Sequence, residues 1–315
     1  MATGLQRDRA SDDRGVDATG TDWGGVVRRT VAESREDNLP DLAAALTYYS
    51  ILSIFPALLA LVSIAGIVGQ SATKPLLTNI GAFTPSAARD ILESAVSGLT
   101  QGRSSAGLVF LLGLLGAIWA ASAYVAAFMR AANVVWDVEE GRPIWKTLGV
   151  RVGVTLVTVV LLTAAAIAVV LTGGVARKAG TLLGIGETGV RVWDVAKWPV
   201  LVLIAALIFG LLYYASPNVR HGAFRSILPG GITAVLLWLA ASVLFALYVA
   251  NFGSYNKTYG SLGAIIVFLI WLWITNLAIL LGAELNAEIA RGRAIAEGKP
   301  ADREPYLRPR ETPKT

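Results

Sequence analysis

No cysteine occurs in these 315 residues, histidine occurs once, at His221, and methionine twice. Without thiols there is no disulfide, no Cys-ligated metal and no thiolate nucleophile. One imidazole cannot build a His-based zinc site, and it leaves a Ser/His triad without support. Charge is scarce too, at 16% of residues against 55% hydrophobic, with a mean hydropathy of +0.59. Soluble domains carry about 25% charged residues, so the composition is that of a membrane protein. Walker A, dinucleotide-fingerprint, paired-His and nucleophile-elbow motifs are missing, which argues against ATP-driven transport and against common enzyme classes. No cofactor and no metal is expected. The pI near 9.5 does not point to nucleic acid, because the basic residues line membrane-flanking loops and form no aromatic-basic platform.

What is present is a set of charge-free runs, at residues 42–69, 104–129, 152–176, 198–219, 226–256 and 258–283. Each exceeds the roughly 20 residues a helix needs to cross about 30 Å of hydrocarbon. The expected fold is all-α and polytopic, with six transmembrane helices. With the N-terminus in the cytoplasm, thirteen flanking Lys and Arg fall inside and eight outside, so both termini are predicted to be cytoplasmic. Trp136, Trp145, Trp193 and Trp198 fall at span ends, where indoles favour the headgroup layer.

The expected organisation is a disordered tail over 1–22, a juxtamembrane amphipathic segment over 23–41, a six-helix domain over 42–290 and a largely disordered tail over 291–315. The first run is too long for a signal-peptide core and is read as an uncleaved anchor. In the first outer loop, 70–103, Thr84-Pro85 precedes an apolar stripe of Ala88, Ile91, Leu92, Ala95, Val96 and Leu99, which predicts an amphipathic helix. The outer loop 177–197 is expected to be irregular or briefly helical. Small residues Gly113, Gly116, Ala117, Ala120, Ala121 and Ala123 predict close packing around a central second span.

Polar groups gather at the inner span ends, and burying such groups is costly enough to suggest function. Tyr48, Tyr49, Tyr213, Asn218, Arg220, Glu284 and Asn286 are candidate substrate-binding residues, with Glu284 either a charge or proton site or an interfacial anchor. Asn251, Asn256 and Tyr259 form an outer group, and Pro56 and Pro217 are candidate helix bends. His221 is expected to be solvated.

Five segments together resemble the YihY/BrkB family of bacterial inner-membrane proteins, once labelled ribonuclease BN: LAAALTYYSILSIFP (42–56), NVVWDVEEGR (133–142), YYASPNVR (213–220) with Pro229-Gly230, NKTYGSLG (256–263) and the run ending GAELN (271–286). The resemblance covers about residues 25–295 and implies a six-helix membrane fold, a place in the inner membrane and a link to envelope integrity and lipid or solute export. Two readings follow. One is a non-ATP transporter or flippase for an amphipathic envelope molecule, with the bilayer and that molecule as partners; the other is a non-transporting scaffold for envelope proteins. Ribonuclease activity is disfavoured, since no acid-base or metal-ligand cluster stands outside the membrane. Oligomeric state is not legible.

Overall fold

The computed structural model describes residues 23–68, 104–172, 176–177, 180–181, 184, 186–222, 224–251, 261–300 and 305–313. Seven long helices follow in order: α1 (Trp23–Glu36), α2 (Leu39–Val68), α3 (Ser104–Val135), α4 (Ile144–Val170), α5 (Glu187–Ala215), α6 (Leu228–Asn251) and α7 (Ser261–Ala296), with a 3₁₀ turn at Phe224–Ile227 before α6. Among the described residues, five stretches are long and apolar enough to cross a membrane: Leu115–Val135, Ile144–Val170, Glu187–Ala215, Phe224–Val249 and Ile265–Ala296; Leu39–Ile54 of α2 is a shorter apolar helix. Among the described residues there is no strand beyond an isolated bridge between Val219 and Pro309. The expected amphipathic helix of 70–103, the tail 1–22, Asn256 and Tyr259 lie outside the described residues, as does the side chain of Asn251.

Local chemistry sets the helix ends. Asn38 and Asp137 adopt φ of 52° and 51° after α1 and α3, a left-handed conformation that Asn and Asp tolerate better than other side chains. Asp137 ends α3 with the paired bonds of a Schellman motif, Val138 N–H to the Asn133 carbonyl at 3.0 Å and Asp137 N–H to that of Val134 at 2.9 Å. Gly298, at φ 90°, ends α7 in the same way. Pro143 in extended conformation precedes α4, and Pro229 sits in the first turn of α6, where a missing N–H costs nothing.

Several expectations change here. Helix α5 starts at Glu187, so residues 187–197 are helical and carry two pairs, Arg191–Glu187 and Lys197–Asp194. Helix α7 runs past the apolar stretch ending at Ala283 to Ala296, because its charged turns find partners on α1. Residues 305–313 pack on the body and are not a free tail. Pro217 lies beyond the end of α5, capped at Ser216, and ends that helix instead of bending it; Pro56 lies within α2. Gly116 is not a close-contact point, since a Cβ there would meet nothing within 4 Å. The close approach is between Gly230 of α6 and Gly282 of α7: a Cβ on Gly230 would lie 2.0 Å from the Gly282 carbonyl oxygen. Without Cβ atoms the two backbones touch, the contact that holds helices together in lipid.

The core gathers at one end, where Phe128, Ala131, Ala132, Leu212, Tyr213, Ala234, Leu280 and Ala283 bring α3, α5, α6 and α7 together and Leu39, Ala43 and Leu46 add α2. Val26 of α1 packs on Leu285 and Ile289 of α7. Both α1 and residues 305–313 sit at this end.

Candidate functional site

Three polar layers build the terminus-bearing end. The first is a tie between helices: the Tyr124 hydroxyl donates to Asn276 Oδ1 at 2.9 Å, and Asn276 Nδ2 donates to Thr47 Oγ1 at 3.2 Å and Ser50 Oγ at 3.4 Å. It joins α2, α3 and α7 through an amide that is 2% exposed. Apart from Thr275 beside it, Asn276 stands among apolar neighbours, and nothing in the local sequence marks it.

The second layer closes the loops. Arg142, its side chain buried, donates from Nε and from one terminal nitrogen to the two oxygens of Glu140, at 2.8 and 2.6 Å, and reaches the Ser216 carbonyl at 2.7 Å. That places a cation at the negative end of α5. Burial alone would raise the Glu140 carboxyl, but hydrogen bonds and charge from Arg142, with a bond from Asn133, hold it below the usual carboxylate range. Asn133 Oδ1 accepts from the Asn218 backbone N–H at 2.8 Å, while Asn218 Nδ2 donates to the carbonyls of Glu139 and Glu311 at 2.9 and 2.7 Å. Residues 305–313 lie across this layer as a strap, with Arg310 N–H on the Asn218 carbonyl, Arg310 Nε on that of Val219 and Glu311 paired with Lys146. Gly141 lets the strap this close, since a Cβ there would lie 2.1 Å from the Glu311 carbonyl oxygen.

The third layer is an acidic cavity of about 20 Å³ between α1, the end of α3, α7 and Tyr306 of the strap. Glu284 lines it, 2% exposed, and its Oε2 has no hydrogen-bond partner. Its neighbour Glu288 is paired, accepting from Arg29 Nε at 2.7 Å and from Arg291 at 3.3 Å, and Arg291 also reaches Glu33 at 2.6 Å. Among the described residues no three acidic or histidine side chains converge as metal ligands would.

The sequence candidates therefore separate. The Tyr213 hydroxyl donates to the Ile279 carbonyl at 2.6 Å, and Asn286 bonds Gly230 N–H at 2.8 Å and the Ile227 carbonyl at 3.0 Å, so both brace helices. Asn218 braces loops, and Arg220 takes the edge of the strap, its N–H on the Arg308 carbonyl. Tyr48 points away from the bundle, 61% exposed, while Tyr49 lies under the Arg130 guanidinium. Only Glu284 keeps an unused polar atom on a cavity. His221 is half-buried instead of freely solvated: it lies 4.9 Å from the Trp136 ring and 5.9 Å from that of Tyr214. Burial, the Arg310 charge opposing and a backbone bond partly offsetting, brings its pKa down to about 4. Trp136 is likewise buried, packed in the core.

An all-helical fold with several apolar spans, polar ties between them and charges held to the helix ends is a multi-pass membrane protein. The family model described as virulence factor BrkB matches residues 30–306, and the chain belongs to that family. It is similar to YfkH of Bacillus subtilis (strain 168), named as ribonuclease-like, with 30% identity over 258 residues, covering 82% of this chain and 92% of that one. UPF0761 membrane proteins of Rhodospirillum centenum and Alkalilimnicola ehrlichii are 28% and 32% identical over 86% and 92% of this chain. The chain spans 58% and 65% of the length of those two relatives. No solved structure matches it.

Proposed function

We propose that the chain crosses the bacterial cytoplasmic membrane six times, with both termini inside, and moves a lipid or other amphipathic envelope molecule without ATP. The observation that carries this reading is a difference in packing along the same helices. At the terminus-bearing end they are sealed by the three polar layers. Toward the other end of α6, Val243, Leu244, Ala246, Leu247, Tyr248 and Val249 are all exposed, and at 3.6 residues per turn these positions encircle the helix. Phe245 between them is half-buried and Leu247 and Tyr248 keep partners, so α6 is thinly covered here, and an amphipathic molecule enters from the bilayer where packing thins. The sealed end then serves as the closed gate. On this reading α2 supplies the sixth crossing, and α1 rests in the inner headgroup layer, its Trp23, Val27 and Val31 forming an exposed apolar stripe at four-residue spacing.

The scaffold reading has its own support, since Tyr213, Asn218 and Asn286 spend their hydrogen bonds inside the fold. Fluorescent-lipid equilibration between leaflets of reconstituted liposomes decides between them. Transport predicts faster equilibration than in protein-free vesicles, and an unchanged rate leaves the scaffold. Orientation is tested in the Cys-free background: a Cys at exposed Arg191 should react with a membrane-impermeant thiol reagent in intact cells, and one at exposed Glu139 should not. The opposite pattern would overturn the topology.

A further inference from the structure

The acidic cavity gathers around Glu284, the residue whose role as proton site or anchor the sequence left open. Five carboxylates line it, from Glu33 on α1, Asp37 just after it, Asp137 after α3, and Glu284 and Glu288 on α7. Arg29 and Arg291 bond Glu33 and Glu288, and Asp37 and Asp137 have partners of their own. Tyr306 closes the remaining side, with the Arg291 guanidinium 5.0 Å from its ring centre. Glu284 is left with a buried oxygen that nothing bonds, among carboxylates on three elements. An ionised carboxylate buried without a partner is among the costliest groups a fold can hold, and it is neutralised when it can be.

The size of the cavity decides by what. A volume of about 20 Å³ admits a single water. So small a space favours a proton over an organic cation or a hydrated divalent ion, and among the described residues no three acidic side chains converge to chelate a bare metal. We infer that Glu284 holds an exchangeable proton, delivered through the one water that this cavity admits from the aqueous face at the terminus-bearing end. Loading takes a proton from hydronium: an O–H bond forms on Oε2 of Glu284 and a neutral water remains; release is the reverse. Asp37 and Asp137 border the route, and their negative charge favours the incoming proton. The strap residue Tyr306 covers the site from the side of the chain end.

The inference deepens the transport reading by naming its coupling ion, and it is tested without transport. Infrared spectra of the full-length protein in detergent are recorded with and without ¹³C-labelled glutamate. The expected result at neutral pH is the carbonyl stretch of a neutral carboxylic acid in apolar surroundings, shifted by the label, absent in Glu284→Gln and insensitive to replacing choline by sodium at fixed pH. Glu284→Asp should retain a carboxylic-acid band that the glutamate label no longer shifts. Should Glu284→Gln not fold, the labelled wild type and Glu284→Asp still decide the matter. No labelled band in the wild type, a band unaltered in Glu284→Gln, or a band removed by sodium overturns the proton site. A band behaving as expected in a protein that moves no lipid rejects transport and leaves the proton site standing.

Discussion

The two ends of the bundle solve the same problem differently. At the terminus-bearing end, α6 and α7 meet backbone to backbone at Gly230 and Gly282, and the carbonyl ends of α5 are closed by Arg142. Further along, α6 leaves Val243, Leu244 and Leu247 60%, 67% and 56% exposed. Lipid solvates apolar side chains as well as another helix does, so apolar surface alone gives no reason for helices to stay together. They stay where small residues permit contact and where polar atoms need partners. The difference teaches that cohesion in this chain follows glycine and hydrogen bonds and not hydrophobicity.

The sharpest way to break that contrast is Gly282→Leu, which drives a side chain into the Gly230 carbonyl oxygen and the Tyr213 hydroxyl, both 2.6 Å from a Cβ. Overpacking of this kind costs about 3 kcal/mol or more, and a sharp loss of folded yield in detergent is expected. Gly116→Leu, with open space around it, should leave yield near wild type. Next in size is Arg142→Ala, which strips the Ser216 carbonyl and Glu140 of a charged donor. Hydrogen bonds to charged groups are worth roughly 2 kcal/mol, so the thermal midpoint should fall more than for Lys197→Ala, whose cation meets Asp194, the Thr172 hydroxyl and the Trp198 ring. Equal shifts would remove the distinction between the ends.

A pH titration sharpens it further. His221 is neutral in the fold with its pKa lowered to about 4 from 6.5, by burial first and Arg310 second, with a Tyr213 backbone bond opposing. The unfolded chain therefore takes up the proton first. Stability from this group is full above about pH 6.5 and is lost as pH falls toward 4. His221→Gln should flatten the thermal midpoint across that window, and an unchanged slope would place the titration elsewhere. The smallest effect is expected for Arg191→Ala, whose pair with Glu187 is exposed on both sides; its midpoint should shift within the range of about 0.5 kcal/mol typical of surface pairs.

Much of the frame was legible because the bilayer imposes it. Charge-free runs at spanning length marked out α3 to α7 to within a few turns, since hydrocarbon admits few other arrangements of the backbone. The end of α7 was less so. Glu284, Glu288 and Arg291 look like the close of a span, and only their partners Arg29 and Glu33, more than 250 positions earlier, keep that helix going. Asn276 and Tyr124 were missed for a related reason: a lone amide or phenol in an apolar run carries no sign of which helix it faces. Gly116 drew notice for its small neighbours, whereas the contact that matters joins two glycines 52 positions apart.

By itself, the sequence determined an all-helical membrane protein, without thiol or histidine chemistry, whose charges are held to the ends of apolar helices. Those properties follow from composition and run length, which act residue by residue. Tertiary structure decided which polar residues are braces and which one is left over. Tyr213, Asn218, Asn286 and Glu284 look equivalent in a row of letters, yet folding gives the first three partners and places Oε2 of Glu284 on a cavity without one. A hydrogen bond depends on where two atoms meet, and which atoms meet depends on how distant helices cross.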